Sequence, residues 1–312
     1  MFRISNMTKL ITVFGSTGNQ GGSVIRAILG HSQLSKEWKI RGITRNPGKP
    51  DAQAMIAKGV EIIQADLNSK DSILSAISGS SAVFGVTNYW EKGTLEHEVM
   101  QGRNLADAAK EAGIEHLIWS SLPYVSKITD GKLHNLHHFD SKAMVEEYVN
   151  EIGVPASFVL PGYFMSNIPN SIKSVGEGAS YSIAMMFKPD TAIPMLDVPR
   201  DFGKFVVACL AYPEATLGKH TLAASRWYTP LDVCHAVEHV RGKKCEFHEI
   251  PVDKFGGSEE LFENLMMIRE YGYYGPDAKE CVQKSQDIVG KVGGFEGFGT
   301  FQGFLTGLES KR

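Results

Sequence analysis

The sequence predicts an α/β fold built on a doubly wound parallel sheet, with a smaller C-terminal α/β lobe, and three observations predict it. Short apolar, β-branched runs alternate with helix-length amphipathic segments through residues 1–160, the pattern of parallel strands joined by crossover helices. The first run stops at a glycine, and a glycine-rich turn opens the next helix. After Pro161-Gly162 the alternation breaks, and Gly, Pro and Ser scatter through residues 169–200, which marks a change of architecture.

Residues 9–14, Lys-Leu-Ile-Thr-Val-Phe, read as a strand, and residues 21–30 read as a helix with its apolar face on Val24, Ile25, Ile28 and Leu29. A strand at 39–44, a helix at 51–58, a strand at 60–64, a helix at 71–77 and a strand at 82–87 follow. The amphipathic segment 95–112 precedes a strand at 116–120, and 141–151 precedes another at 156–160. The order is therefore βαβαβαβαβαβ, a Rossmann-type topology. Residues 1–160 form the first domain and 161–312 the smaller lobe, some of whose strands are expected to return to the main sheet. In that lobe 201–212 and 230–241 read as helices and 245–250 as a strand. The segment GGFEGFGTFQGFL interleaves Phe with Gly and reads as a docked lid, or else as a tail ordered by packing. The chain has no internal repeat and no low-complexity tract.

Composition narrows the function classes. A hydrophobic content of 43% with 21% charged residues is that of an ordinary globular protein. No run of about eighteen apolar residues offers a membrane span, so a soluble protein is expected. With 32 basic and 35 acidic residues the formal charge is −3, and no basic stripe supports direct nucleic-acid binding. The opening MFRISNMTKLITVFG has neither an apolar signal core nor an Arg- and Ser-rich transit pattern, which predicts a cytoplasmic protein. Cys209, Cys234, Cys245 and Cys281 lack the close pairing of a zinc or redox motif and read as reduced structural thiols.

The chemistry starts at Gly15-Ser-Thr-Gly18-Asn-Gln-Gly21. Glycines let the backbone turn tightly and approach a pyrophosphate, whose charge is met by amides at a helix N-terminus. Alone, such a triplet also occurs in purely structural turns. Here it follows the first strand and opens a helix, so Gly15, Thr17, Gly18, Asn19, Gln20 and Gly21 are expected to contact a dinucleotide. The second strand ends in Ile43-Thr44-Arg45-Asn46-Pro47, without the acidic residue that accepts hydrogen bonds from the ribose of NAD. Arg45 suits a 2′-phosphate, which predicts NADP(H) as cofactor; a solvated surface charge is the plain alternative. Asp66, after the third strand, faces either the adenine edge or the next helix as its N-cap.

VFGSTGNQGGSV, TRNP, VTNYWE, HFDSKAMVEEY and LPGYFMSN, in that order along nearly the whole chain, together resemble the NmrA-like family of atypical short-chain dehydrogenases. Within it the sequence is most similar to the HSCARG-type NADPH sensors. In catalytic relatives a Tyr-x-x-x-Lys pair and an upstream Ser do the chemistry. The matching segment here is His138-Phe-Asp-Ser-Lys142, so the resemblance carries over Lys142, as cofactor-holding and catalytic residue, but puts an imidazole at the phenol position. His138 can serve as a general acid or base, so turnover stays open. Ser120 and Ser121 occupy the place of the orienting Ser or are plain turn residues.

The resemblance also implies that Thr87, Asn88 and Tyr89 run beneath the cofactor, and that Tyr163, Phe164 and Asn167 cover the nicotinamide; buried aromatic packing is the alternative. His134, His137 and His138 lack the Glu-containing spacing of a helical zinc site, and no metal is expected.

Two functions follow. In the first, a regulatory NADP(H)-binding redox sensor changes order near Trp90 and residues 163–190, and so alters affinity for a protein partner. By resemblance that partner is a transcription factor or signalling protein, and the chain is also nuclear and a homodimer. In the second, an NADPH-dependent reductase protonates a hydrophobic carbonyl or activated alkene, bound by Phe164, Met165, Met185, Met186 and Phe187 unless these are core.

Overall fold

The computed structural model describes residues 8–176 and 178–310. Six parallel strands follow one another through the first half: β1 (Lys9–Val13), β2 (Trp38–Thr44), β3 (Glu61–Gln64), β4 (Ala82–Gly85), β5 (His116–Ser120) and β6 (Ala156–Pro161). The second half adds β7 (Tyr163–Phe164), β8 (Ile172–Val175), β9 (Ser180–Met185), β10 (Ile193–Leu196), β11 (His220–Ala223), β12 (Arg226–Tyr228) and β13 (Cys245–Glu249). The main sheet is seven-stranded and parallel in the order β11-β6-β5-β4-β1-β2-β3, a Rossmann-type sheet. The chain runs outward from β1 through β2 and β3, then returns to the other side of β1 with β4. The crevice beyond the carboxyl ends of β1 and β4 is the topological switch point, where such sheets bind ligands.

Sheets of this kind are apolar on both faces because crossover helices cover both. Val83 and Phe84, neighbours on β4, enter opposite cores. One core joins Trp119 and Phe158 to the helices Leu95–Glu111 and His137–Glu151; the other joins Ile11 and Val13 to Val24, Ile28, Phe202 and Phe205.

Several boundaries differ from the sequence reading. β4 ends at Gly85, so Val86, Thr87 and Asn88 form a loop at the sheet edge. The helix read as 141–151 starts at His137, which puts His138 and Lys142 one turn apart on it. Residues 169–200, read as irregular, contain β8, β9 and β10. These strands are short, and β8 is largely exposed, so the alternating apolar signal of a half-buried strand is absent. They build two three-stranded sheets, β12-β10-β7 and β13-β9-β8. β11 lies parallel to β6 and extends the main sheet.

The Gly/Phe-rich segment is docked. Phe298 stacks on Phe205 with ring centroids 5.3 Å apart, and Phe301 is fully buried. Among the described residues, no helix is long and apolar enough to cross a membrane.

Candidate functional site

Local geometry makes the first turn a cradle. Gly15 adopts φ +61°, a left-handed conformation that favours glycine. Ser16 ties the turn to β2, its hydroxyl donating to the Ile43 carbonyl at 2.9 Å. A Cβ on Gly21 would lie 2.4 Å from the Gly15 carbonyl oxygen and 2.6 Å from that of Phe14, so only glycine allows helix and strand to meet this closely. The helix Asn19–Gly30 has no acidic residue in its first turn, leaving its amides and positive dipole end to face an anion. These features fit a dinucleotide pyrophosphate.

The cradle forms one wall of a cavity of about 480 Å³. Gly15, Thr17, Gly18, Asn19, Gln20 and Gly21 line it, together with Arg45, Lys49, Asp66, Thr87, Asn88, Glu91 and Phe164. Tyr89, Lys142, Tyr163 and Asn167 are not among its lining residues. The Arg45 Nη1 lies 2.5 Å from Glu91 Oε1, an ion pair at the cavity edge. Asp66 is not the N-cap left open by the sequence: its carboxylate accepts from the backbone and side chain of Asn68 at 2.9 and 2.8 Å. Ser69 caps the next helix instead.

Behind Thr87 lies a buried ion pair. Lys142 Nζ donates to Glu98 Oε1 at 2.6 Å, to Thr87 Oγ1 at 2.9 Å and to the Thr87 carbonyl at 3.3 Å. Glu98 also accepts from the hydroxyls of Thr87 and Ser141. Burial works to raise its pKa, but the Lys142 ammonium and these hydrogen bonds outweigh burial and hold the carboxylate below its usual range. Lys142 thus stands one layer behind the cavity wall.

His138 is held by a second carboxylate. Its backbone N–H donates to Glu260 Oε1 at 2.9 Å, and its Nδ1 is 2.7 Å from the same oxygen. The Tyr89 hydroxyl donates to Glu260 Oε2 at 3.1 Å. Burial opposes ionisation of Glu260, yet the hydrogen bonds from His138 and Tyr89 keep its pKa below the usual value. Burial, with Glu260 adding to it, pushes the Tyr89 phenol up to about 12. The exposed Trp90 ring lies 5.2 Å from that of His138 and 5.0 Å from that of Tyr89. Tyr163 packs on Phe187 and Tyr273, each at 6.5 Å, and burial pushes its phenol up to about 12, with Asn167 pulling the other way.

Other candidates separate cleanly. Ser120 donates to Gln20 Oε1 at 2.6 Å and so braces the cradle, whereas Ser121 donates to Glu146. Met165, Met185, Met186 and Phe187 are buried packing residues, so the apolar substrate pocket expected from them reduces to Phe164. No group of His, Cys, Asp or Glu among the described residues is arranged to hold a metal. The four cysteines are free thiols, with Cys209, Cys234 and Cys245 buried.

Glu91, Glu98 and Glu260 escaped the sequence reading. Glu98 had a signal: it lies on the helical stripe of Gln101, Gly102 and Leu105, where a charge needs a buried partner. Glu260 had none, since 122 positions separate it from His138.

The sheet, its switch point and the glycine cradle define a Rossmann-type protein of the dinucleotide-binding class. The chain belongs to the NmrA-like family, whose model matches residues 7–301. It is 31% identical over 297 residues, 87% of either chain, to the NmrA-like family domain-containing oxidoreductase malD of Malbranchea aurantiaca. An NmrA-like family domain-containing protein of Dictyostelium discoideum is 27% identical, covering 87% of this chain and 92% of its own. Among solved structures, NmrA, a negative transcriptional regulator, in complex with NADP, superposes with a TM-score of 0.79 at 21% identity over 97% of both chains. The Escherichia coli NADPH-dependent quinone oxidoreductase QOR2, complexed with NADPH, superposes at 0.70 with 21% identity, covering 96% of this chain and 99% of its own.

Proposed function

We propose that this chain binds NADP(H) at the switch-point cavity and acts as a redox sensor that changes its affinity for a protein partner, such as a transcription factor, with cofactor state. One observation carries the cofactor reading: the cradle that excludes a Cβ at Gly21 shares a cavity with Arg45. Gly15, Thr17, Gly18, Asn19, Gln20 and Gly21 hold the pyrophosphate, Arg45 and Lys49 the 2′-phosphate, and Thr87 and Asn88 the nicotinamide half. Asp66 and Phe164 complete the walls. Binding of NADP by NmrA and of NADPH by QOR2, proteins of the same fold, agrees with this.

The regulatory half rests on what replaces the reductase chemistry. An imidazole stands at the phenol position and is bound to Glu260, while the Lys142 ammonium is engaged with Glu98 and Thr87. Trp90, exposed beside both cavity and His138, offers a surface through which the cofactor state reaches a partner.

The second reading, an NADPH-dependent reductase, is favoured by the His138–Glu260 pair and by relatives named oxidoreductases. Bound NADPH supplies a hydride. The chain's own part is the His138 imidazole as proton donor, oriented by its hydrogen bond to Glu260, with Lys142 fixing Thr87. Calorimetric titration with NADPH, NADP⁺, NADH and NAD⁺ tests the cofactor, the NADP preference disappearing in Arg45→Ala. NADPH oxidation over a panel of carbonyls and activated alkenes then separates the readings. Absence of turnover supports the sensor, whereas turnover abolished by Lys142→Ala and His138→Ala supports the reductase.

A further inference from the structure

Resting on the NADP(H) reading above, we infer that Glu91 is the residue that sets the choice between NADP(H) and NAD(H). Selective sites usually offer one group to the ribose 2′ position: a carboxylate for the hydroxyl of NAD or a cation for the phosphate of NADP. This cavity holds both. Arg45 comes from the end of β2, where the acidic residue of NAD-selective sheets stands, while the carboxylate comes from the short turn Tyr89–Glu91 after β4. Both side chains line the same cavity, and Glu91 Oε1 is 2.5 Å from Arg45 Nη1. An oxygen that takes the place of Glu91 on Arg45 Nη1 therefore lies close to that carboxylate.

The two cofactors meet this pair differently. A 2′-phosphate that binds the Arg45 guanidinium beside Nη1 brings its negative charge up to the Glu91 carboxylate, a like-charge contact that weakens binding. A 2′-hydroxyl carries a proton to donate, so Glu91 accepts it while the ion pair with Arg45 stays closed. Glu91 is more buried than its partner, with 22% of its side chain exposed against 61% for Arg45. It is also fixed at the end of its turn, its N–H bonded to the Asn88 carbonyl at 3.1 Å. Glu91 thus tempers the selectivity of Arg45 and makes the site respond to the phosphorylated and unphosphorylated dinucleotide pools together.

The test is calorimetric titration of the full chain with NADP⁺ and NAD⁺, in the wild type and in Glu91→Gln, Glu91→Ala and Arg45→Ala. Glu91→Gln tightens NADP⁺ by about fivefold and Glu91→Ala weakens NAD⁺ by about threefold, changes of the size expected for one exposed charge contact. Arg45→Ala moves selectivity the other way. Wild type that binds NADP⁺, with both Glu91 variants shifting the two cofactors equally or not at all, overturns the role of Glu91 and leaves the NADP(H) reading standing. Wild type that binds neither dinucleotide overturns both.

Discussion

Glu98 Oε1 lies 2.6 Å from Lys142 Nζ in a position where the Glu98 side chain is 1% exposed and that of Lys142 is 10% exposed. The pair ties the helix Leu95–Glu111 to the helix His137–Glu151 and, through Thr87, to the cavity wall. Breaking one side leaves the other charge buried without compensation, which costs about 3–5 kcal/mol. Glu98→Gln is therefore expected to lower the unfolding free energy by that amount in urea titrations at neutral pH. The folded-state pKa of Glu98 is depressed below 4.5, so its stabilisation is present above that pH and is lost as pH falls through the depressed value. The gap between wild type and Glu98→Gln should close in acid.

Gly21 tests the cradle without touching a charge. A Cβ at this position would stand 2.4 and 2.6 Å from two backbone oxygens, so Gly21→Ala must push the helix away from β1. Dinucleotide affinity is expected to fall by more than about tenfold, or roughly 1.4 kcal/mol. Gly30→Ala is the control, because a Cβ there would meet nothing within 4 Å. Calorimetry on both variants separates loss of the cradle from a general effect of replacing a glycine in this helix.

These residues also show what is legible in a sequence. Gly15, Gly18 and Gly21 follow the end of β1 and Arg45 follows the end of the adjacent β2, so motif and order alone brought them to one cavity. His138 and Lys142 are joined by a single helical turn. By contrast, Glu260 reaches His138 from a helix, Glu259–Met266, whose docking depends on the whole second lobe. The sequence predicts a return of second-lobe strands to the main sheet, but not which segment makes it: β11 sits beside β6 after a long excursion through the smaller sheets. Met165, Met186 and Phe187 read equally well as pocket or core, since apolar character alone does not tell which side of a wall a residue faces.

The C-terminal segment is fastened by a buried charge. Asp201 Oδ1 accepts from Lys204 Nζ at 2.8 Å and its Oδ2 accepts from the Gly299 N–H at 2.8 Å, while Lys204 Nζ donates to the Glu296 carbonyl at 2.9 Å. Phe301 fills the core beyond it, its backbone N–H bonded to the Tyr228 hydroxyl at 2.8 Å. Phe301→Ala is expected to cost about 3–5 kcal/mol, the range for emptying a buried aromatic site. Asp201→Ala should in addition release residues 293–300, so limited proteolysis would cut there at native temperatures in the variant and not in the wild type.

His116 makes stability depend on pH in the mildly acidic range. It is buried at the start of β5, its Nε2 sharing a 2.8 Å hydrogen bond with Ser157 Oγ, and burial pushes its pKa down to about 4 from 6.5. The unfolded chain takes up this proton first as pH falls. The contribution is therefore complete above pH 6.5 and is lost progressively down to about pH 4, amounting to roughly 3 kcal/mol. His220 has the opposite sign, because its hydrogen bond to Glu146 raises its pKa. Its stabilisation is present below its unfolded value and fades as pH rises through the folded one. That side chain is 53% exposed, so solvent screening makes it the smaller effect. Urea titrations from pH 7 to pH 5 should show falling stability in the wild type and a flatter profile in His116→Gln; equal slopes would mean that His116 does not carry the acid sensitivity.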